Sequence, residues 1–384
     1  MKLSKIYSLT LSLIIFSACS TKKIEPPKVK EHNKTISYAH LGISDINKTK
    51  KIEPKVKDSN KTRDDDILEL KGDFAWSYEL MDFIEMMVNK HHFKRKELYK
   101  LFSKAKNYKY VSPKKNRSCI SNHIYRGAGE WDRYKSCFIY ERNIQRGIEF
   151  WNQYSDVLER AERKYGVPAK YIVGIIGIET AYGTNFGRYK ALDVLTTRSM
   201  LGDRRADFYR DELEDFLLIT RELGLNPAEV MGSSSGALGY GQFMPSSYIR
   251  FAVDFNNDGI KDLWNAEDAI GSIANYFAKN GWNPYIKEVA VRAKYKGYRF
   301  NKLETGYKTK YSQYKLKKKH KIKPRSKLKY KGPVSLLRLN RAGYDELWLG
   351  THNFRVITTY NHSSLYGMAV YQLASEITKR INQN

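Results

Sequence analysis

The chain has 384 residues and a formal net charge of +27, from 68 Lys and Arg against 41 Asp and Glu. This length is enough for about two or three domains at roughly 150 residues each. Hydrophobic residues at 41% and aromatic residues at 13% exclude wholesale disorder, and a mean hydropathy of −0.61 excludes a polytopic membrane protein. The charge predicts an acidic partner, with nucleic acid, anionic lipid and acidic polymer all open.

Residues 1–18 have the pattern of an export signal. Two lysines precede an apolar run over residues 6–16, which is too short to span a bilayer comfortably. The run ends in small residues before Cys19, and this predicts a lipoprotein signal whose cleavage leaves Cys19 lipidated. The exported chain is then anchored at the periplasmic face, and Ser20 after the cysteine favours the outer membrane. The alternative is an ordinary signal peptide with an incidental cysteine.

Export places the two remaining cysteines, Cys119 and Cys137, in an oxidising compartment. A disulfide between them is expected, and in the chain-entropy model it stabilises the fold by about 3 kcal/mol. Two buried thiols are the alternative. Neither cysteine lies in a pattern that resembles an activated nucleophile, which argues against a catalytic thiol.

The composition changes along the chain and predicts its organisation. Residues 19–70 are rich in charged residues, Asn and Pro, and predict a disordered periplasmic tether. Residues 71–284 carry apolar side chains at helical spacing. Residues 285–335 alternate Tyr, Lys and apolar residues, as short strands do, and hold 18 Lys and Arg against two acidic residues. They form a basic, β-rich insert that carries most of the net charge.

Residues 336–384 predict the last part of the core. Segments 336–339 and 354–357 are apolar and rich in β-branched residues or leucine, and we expect strands there. Residues 363–380 predict a closing helix. The chain is therefore expected to be α+β and predominantly α-helical, with an N-terminal helical part and a small basic β insert.

Glu179 is the most informative carboxylate. Pro168 suits the first turn of a helix, in which Ile172, Ile175 and Glu179 share one face. Gly183 follows and is suited to end that helix, so Glu179 is expected at its negative end in apolar surroundings. Both effects disfavour the anion and raise the pKa, as a general acid near neutral pH requires. The alternative is a structural Glu that pairs with an Arg or caps a neighbouring element.

Four ordered segments resemble the lytic murein transglycosylase B family: GIETAYG at 177–183, GALGYGQFMPSS at 236–247, WNAEDAIGSIANYF at 264–277 and TYNHS at 359–363. The resemblance covers about residues 73–376 and implies a lysozyme-like core. It also implies that the chain cleaves the β-1,4 bond between N-acetylmuramic acid and N-acetylglucosamine in peptidoglycan glycan strands, leaving 1,6-anhydromuramic ends.

By the same resemblance, Glu179 is the single catalytic residue, first as acid and then as base. An internal sugar hydroxyl as nucleophile needs no second carboxylate to activate water, and no cofactor is required for the chemistry. A hydrolytic muramidase and a non-catalytic peptidoglycan-binding lipoprotein remain as alternatives. A nucleic-acid binder is disfavoured by export and by the lack of a known binding motif.

The resemblance also implies substrate-binding residues. Amide and hydroxyl groups would bind sugar substituents, tyrosines would pack on sugar faces, and arginines would face carboxylates of the substrate. A structural hydrogen bond is the alternative for each position. The residues are Ser233, Gln242, Tyr276, Tyr360, Arg204, Arg205, Asn361 and Tyr366.

Residues 254–262 begin like an EF-hand loop, with oxygen-bearing side chains at positions 1, 3 and 5 and Gly259 at position 6. The bidentate Glu at position 12 is missing, and the family resemblance places the closing carboxylate later. This predicts a structural Ca²⁺ site, with an ion-free turn as the alternative. The expected ligands are Asp254, Asn256, Asp258, the Ile260 carbonyl and Asp268.

The basic insert then has a narrower interpretation. We expect a Lys/Tyr-rich surface that holds an anionic wall polymer or a membrane near the catalytic cleft. A solvated basic face without a partner is the alternative.

Overall fold

The computed structural model describes residues 68–108, 129–200 and 205–383, which belong to a single unit of the chain, residues 65–384. The predictions for the signal sequence, for Cys19, Cys119 and Arg204, and for nearly all of the tether lie outside the described residues. Leu70, the last residue of the predicted tether, is 1% exposed and already packs in a core.

Helices dominate the described residues, as expected. Two short 3₁₀ turns, Gly72–Phe74 and Arg299–Lys302, accompany the α-helices. In chain order the helices are α1 Tyr78–His91, α2 Arg95–Phe102, α3 Glu130–Ser136, α4 Glu141–Gln153, α5 Ser155–Tyr165, α6 Ala169–Glu179, α7 Ala191–Met200, α8 Ala206–Glu222, α9 Pro245–Phe251, α10 Ala266–Lys279, α11 Gln313–His320, α12 His352–Tyr360 and α13 Ser364–Ile381.

Helix α6 lies at the centre of the main core. All of its residues except Lys170 and Glu179 are buried, because Ile, Val and Ala side chains and two glycines leave it apolar on every face. It packs against α4, α5, α10 and α13. Gly174 allows the close approach of α13, since a Cβ there would lie 3.0 Å from the carbonyl oxygen of Val370. The helix that ends at Glu179 is therefore held on several sides.

A second core joins the N-terminal helices α1 and α2 to α7 and α8. The start of α1 is fixed by Ser77, whose Oγ accepts a hydrogen bond of 3.2 Å from the N–H of Leu80. A short two-stranded ribbon, β1 Tyr189–Lys190 with β2 Met231–Gly232, lies next to α7 and connects this part to the loop that follows Gly232.

The basic part forms a four-stranded antiparallel sheet in the order β4-β3-β6-β5, with its own small core. The sheet continues past the predicted boundary at residue 335, because the β5–β6 hairpin reaches Gly350. Strand β5 confirms the expectation for residues 336–339. The strands are β3 Ala290–Lys294, β4 Lys323–Pro324, β5 Ser335–Arg341 and β6 Tyr344–Gly350.

The prediction of a strand at residues 354–357 is wrong, since these residues lie within helix α12. Phe354 and Ile357, three residues apart, are both 0% exposed, so the buried face follows the helical period rather than alternation. Short apolar runs fit both structures, and here contacts with α13 favour the helix. The closing helix is confirmed as α13.

Candidate active site

Glu179 is the last residue of α6, and the chain turns sharply after it. Ala181, Tyr182 and Gly183 all have positive φ angles of 47°, 63° and 79°, a conformation that costs energy for the first two. The turn directs the Tyr182 ring back along α6. A Cβ at Gly177 would lie 2.3 Å from the Tyr182 hydroxyl, so this position requires glycine.

The environment of Glu179 favours a protonated carboxyl. Burial raises its pKa from 4.5 to about 7, and a hydrogen bond from Tyr366 offsets part of this effect. The Tyr366 hydroxyl donates to Oε1 across 2.5 Å. Within the described part of the chain, no ion pair includes Glu179, so the alternative of an Arg-paired structural Glu has no support there.

Three tyrosines form an aromatic wall next to Glu179. The rings of Tyr360 and Tyr366 are stacked at 6.4 Å and 10°, and Tyr276 meets Tyr360 edge-on at 4.8 Å. The Tyr360 hydroxyl donates to the carbonyl of Gly241 across 2.6 Å, which ties the wall to the glycine-rich turn. The structure therefore brings Tyr366 and Tyr360 to the carboxylate and packs Tyr276 against Tyr360.

Gln242 lies in that turn, with φ of 51°. Its side-chain amide donates to the carbonyls of Gly239 at 3.0 Å and Phe186 at 3.3 Å, so its amide nitrogen is used in holding the turn. Thr180, directly after Glu179, donates from Oγ1 to the Tyr240 carbonyl at 3.2 Å. This contact joins the turn to the end of α6.

Ser233 shapes the loop before the turn. Its Oγ accepts hydrogen bonds from the backbone N–H groups of Ser235 at 3.2 Å and Ala237 at 3.0 Å. The next residue, Ser234, accepts at its carbonyl from the buried guanidinium of Arg198, with the shorter contact at 3.0 Å. The sequence reading missed Arg198 and Thr180, since an arginine or a threonine within a helical pattern carries no signal of its own.

Two predicted residues have contacts elsewhere. The Arg205 guanidinium lies over the rings of Phe208 and Tyr209, at 4.3 and 5.4 Å from their centroids. Asn361 is exposed, and its carbonyl accepts from the Ser363 N–H at 2.7 Å. These contacts connect neither residue to Glu179. Cys137 is partly buried, and its Sγ donates weakly to the Arg133 carbonyl at 3.4 Å.

The loop before α10 brings three predicted cation ligands together. Single carboxylate oxygens of Asp254, Asp258 and Asp268 all lie within 4.8 Å of one another. Gly259 has φ of 89° with open space around its Cα, as the sixth position of such a loop requires. Asn256 donates from its amide to Asp258 across 2.8 Å, which keeps that side chain within the same cluster.

Asp268 organises this loop from the first turn of α10. It is 0% exposed, and its two oxygens accept from the N–H groups of Phe255 at 2.7 Å and Asp262 at 2.8 Å. Burial is the main cause that raises its pKa, and the charge of Asp254 adds to it. No ion pair among the described residues neutralises the three carboxylates. An oxygen-rich, net-negative loop of this kind fits Ca²⁺.

Comparisons with known proteins agree with this geometry. Residues 76–375 match the family model for the transglycosylase SLT domain. The chain is 40% identical to membrane-bound lytic murein transglycosylase B of Escherichia coli over 369 residues, which is 95% of each chain. In the described residues the protein has the lysozyme-like, mostly helical fold of its solved relatives.

Two solved structures of the E. coli lytic transglycosylase Slt35 are similar to this chain. The complex with bulgecin A has a TM-score of 0.76 and 42% identity, over 83% of this chain and 98% of that one. The complex with calcium has a TM-score of 0.75, also with 42% identity and the same coverage. The chain therefore belongs to the family of lytic murein transglycosylases that carry a transglycosylase SLT domain.

Proposed function

We propose that Glu179 is the single catalytic residue of this lytic transglycosylase, which cleaves the N-acetylmuramic acid–β-1,4–N-acetylglucosamine bond of peptidoglycan. The observation that carries the proposal is a carboxyl at the end of α6 with a pKa of about 7. No second carboxylate of the described residues contributes to that pKa. A lone carboxyl suits an internal nucleophile better than the paired carboxylates of hydrolases.

The reaction then needs only one group that gives and takes a proton. Protonated Glu179 donates to the glycosidic oxygen as the bond to the anomeric carbon breaks. The resulting carboxylate accepts the proton of the muramic C6 hydroxyl, whose oxygen closes the 1,6-anhydro ring. Because nucleophile and anomeric carbon belong to one sugar, the effective concentration is high. Tyr366 holds the carboxylate in place through both steps.

The aromatic wall supports sugar binding. Tyr276 and Tyr360 offer flat apolar faces and hydroxyls, which suits sugar rings with mixed polarity. Gln242 contributes an amide oxygen, while its nitrogen holds the turn. Ser233 keeps its loop in shape. We propose Tyr366 as a contact at the cleavage point, and Arg204, Arg205 and Asn361 as outer contacts to carboxylates and sugars.

Product analysis tests the proposed reaction. Purified sacculi digested by the wild-type chain should give anhydromuramic fragments, about 18 Da lighter than the products of a hydrolase. Glu179→Gln should abolish the product while it still binds sacculi and bulgecin A, which the E. coli relative binds. Hydrolysed products would favour the muramidase alternative, and undiminished activity in the variant would overturn the role of Glu179.

We further propose that the chain is an exported lipoprotein, anchored through Cys19 at the periplasmic face of the outer membrane. The E. coli relative is described as membrane-bound. In the described residues no helix has the length and apolar character needed to cross a bilayer. Mass spectrometry of the mature N-terminus tests this proposal, because lipidation requires an acylated Cys19, and an unmodified cysteine would contradict it.

A structural Ca²⁺ in the Asp254–Asp268 loop completes the proposal. A calcium complex of the E. coli relative supports it, as does the convergence of the three carboxylates. The ion would be held by Asp254, Asn256, Asp258, Asp268 and the Ile260 carbonyl, where it would balance their charge. It takes no part in bond cleavage.

A further inference from the structure

A cavity of about 790 Å³ in the β region is lined by basic residues that the function above does not use. It lies between the end of β3, the turn that follows, the end of α11 and β4. None of its lining residues is an acid or belongs to the groups described around Glu179. Its six cationic residues are Lys294, Lys296, Arg299, Lys317, Lys321 and Lys323.

Three of these cations lie at positions that oppose stability. Lys294 and Lys323 are directly paired across the antiparallel strands β3 and β4, where like charges repel each other. Lys321 follows α11 in the left-handed conformation, with φ of 57°, a position that normally takes Gly or Asn. A bound anion would compensate for such an arrangement of lysines.

The cations have no anionic partner in the described residues. No ion pair or side-chain hydrogen bond found there includes any of the six. The nearby acids of β6 are already used: Asp345 pairs with Arg338 at 2.7 Å, and Glu346 pairs with Arg341 at 3.0 Å. The dipole of α11 favours lysines in its last turn, which accounts for Lys317 but not for the strand lysines.

The residue types indicate the ligand. Five of the six cations are lysines, and lysine commonly binds phosphate groups as a compact point charge. Tyr298 at the cavity is 80% exposed, and such a ring suits the boundary between water and lipid. We propose that this cavity binds a phosphate group, with an anionic phospholipid headgroup as its source.

The proposal goes beyond cell-wall cleavage and does not depend on it. A headgroup site in the β region would give the chain a second attachment to the membrane, besides a lipid anchor. A second electrostatic contact would add to the attachment that an acylated N-terminus gives. Each lysine close to an anionic surface contributes on the order of a fivefold change in binding.

A matched pair of charge variants of the full mature chain tests this. The cavity variant carries Lys294→Gln, Lys296→Gln, Lys317→Gln and Lys323→Gln. The control carries Lys302→Gln, Lys310→Gln, Lys329→Gln and Lys331→Gln, four exposed lysines of the same region outside the cavity lining. Calorimetric titration uses soluble dihexanoyl phosphatidylglycerol, dihexanoyl phosphatidylcholine and inorganic phosphate. Sedimentation with sacculi measures wall binding in a Glu179→Gln background.

We expect the cavity variant to bind phosphatidylglycerol at least about tenfold more weakly than the wild type, and the control about twofold more weakly at most. Dihexanoyl phosphatidylcholine should bind neither the wild-type chain nor the two variants. If the cavity variant loses binding to inorganic phosphate but not to phosphatidylglycerol, the cavity is a phosphate site, and the lipid headgroup is not the source of the phosphate. Equal losses in both variants would overturn the cavity as a site. Loss of sacculus binding without loss of either phosphate probe would overturn the proposal in favour of wall carboxylates.

Discussion

The hydroxyl of Tyr366 donates a hydrogen bond of 2.5 Å to Oε1 of Glu179, although the two residues are 187 positions apart. Tyr366 is 2% exposed and extends from the first turn of α13 to the end of α6. Its bond stabilises the carboxylate, while burial favours the protonated form. The balance of these two opposed effects places the pKa near neutrality.

Removing that hydroxyl should move the pH profile. In Tyr366→Phe the carboxylate loses its donor, so the pKa of Glu179 rises above about 7. The acid must be protonated, and kcat/KM therefore falls as pH rises through this pKa. The midpoint of the alkaline limb should move upward by about one unit, and turnover should fall on the order of tenfold.

Tyr360→Phe is the matched control, because its hydroxyl donates to the Gly241 carbonyl rather than to Glu179. This variant should weaken substrate binding and leave the midpoint in place. An unmoved midpoint in Tyr366→Phe would show that the hydrogen bond does not set the acidity of Glu179.

Glu179→Gln should stabilise the fold while it abolishes catalysis. The folded-state pKa is raised from 4.5 to about 7, so between these values the folded state binds more protons than the unfolded state. The unfolding free energy of the wild type therefore falls as pH rises through this window. At pH 8 the variant should be more stable by about 3 kcal/mol, and below pH 4.5 the difference should vanish.

Chemical denaturation at pH 4 and pH 8 measures this difference. Glu85→Gln is a control of opposite sign, because the hydrogen bond from Arg95 lowers the pKa of Glu85. The small stabilisation that the Glu85 carboxylate gives is present above its unfolded-state pKa, and it is lost as the pH falls through its folded-state pKa. A Glu179→Gln variant that is less stable than the wild type at pH 8 would contradict the buried, destabilised carboxylate.

Tyr182→Phe should not harm the fold. The Tyr182 hydroxyl is buried, and no hydrogen-bond partner for it exists among the described residues. An unsatisfied buried polar group is costly, so its removal should raise the unfolding free energy by about 1 kcal/mol. The ring keeps its contact with Phe150, at 5.6 Å between centroids. A loss of stability of that size would reveal a partner for the hydroxyl, and thermal unfolding decides between the outcomes.

The calcium site predicts different results for two of its carboxylates. Asp258 is exposed, and Asp258→Asn keeps an oxygen for the Ile260 N–H while it removes a charge. It should change ion-free stability little, because the acceptor that the Asn256 amide loses is exposed, and it should weaken Ca²⁺ binding at least about tenfold. Asp268→Ala should destabilise the chain even without the ion, because three backbone N–H groups lose their acceptor.

Titration calorimetry with Ca²⁺ and thermal unfolding with and without a chelator measure both effects. Asp207→Asn, a change at a side chain that is 95% exposed, controls for the loss of charge. A wild-type chain with neither a heat of binding nor a thermal shift would refute the site.

Glu179 was predictable from the sequence because its signal is local. The helical period from Pro168, the apolar face and the following glycine together indicate a carboxyl at a buried helix end, and the structure has that arrangement. The pKa could be predicted in direction from burial and the helix dipole. Its hydrogen-bond partner could not, because Tyr366 is distant in sequence, and only the family resemblance drew attention to it.

The prediction of a strand at residues 354–357 is wrong because the contacts that decide the structure there are not local in sequence. Val356 and Ile357 favour strands intrinsically, but the packing of α12 against α13 decides the structure. Likewise, nothing local predicts that Ala181 and Tyr182 adopt left-handed angles. Those angles depend on Gly177, whose missing side chain leaves room for the returning Tyr182 ring.

The bond between Tyr366 and Glu179 has a consequence for partly folded states of the chain. Helix α13 must dock on α6 before Glu179 gains its hydrogen-bond donor. A state in which α13 has not docked has the acid but lacks the tyrosine and the packing that set its pKa. Local opening of these two helices should therefore switch off the acid.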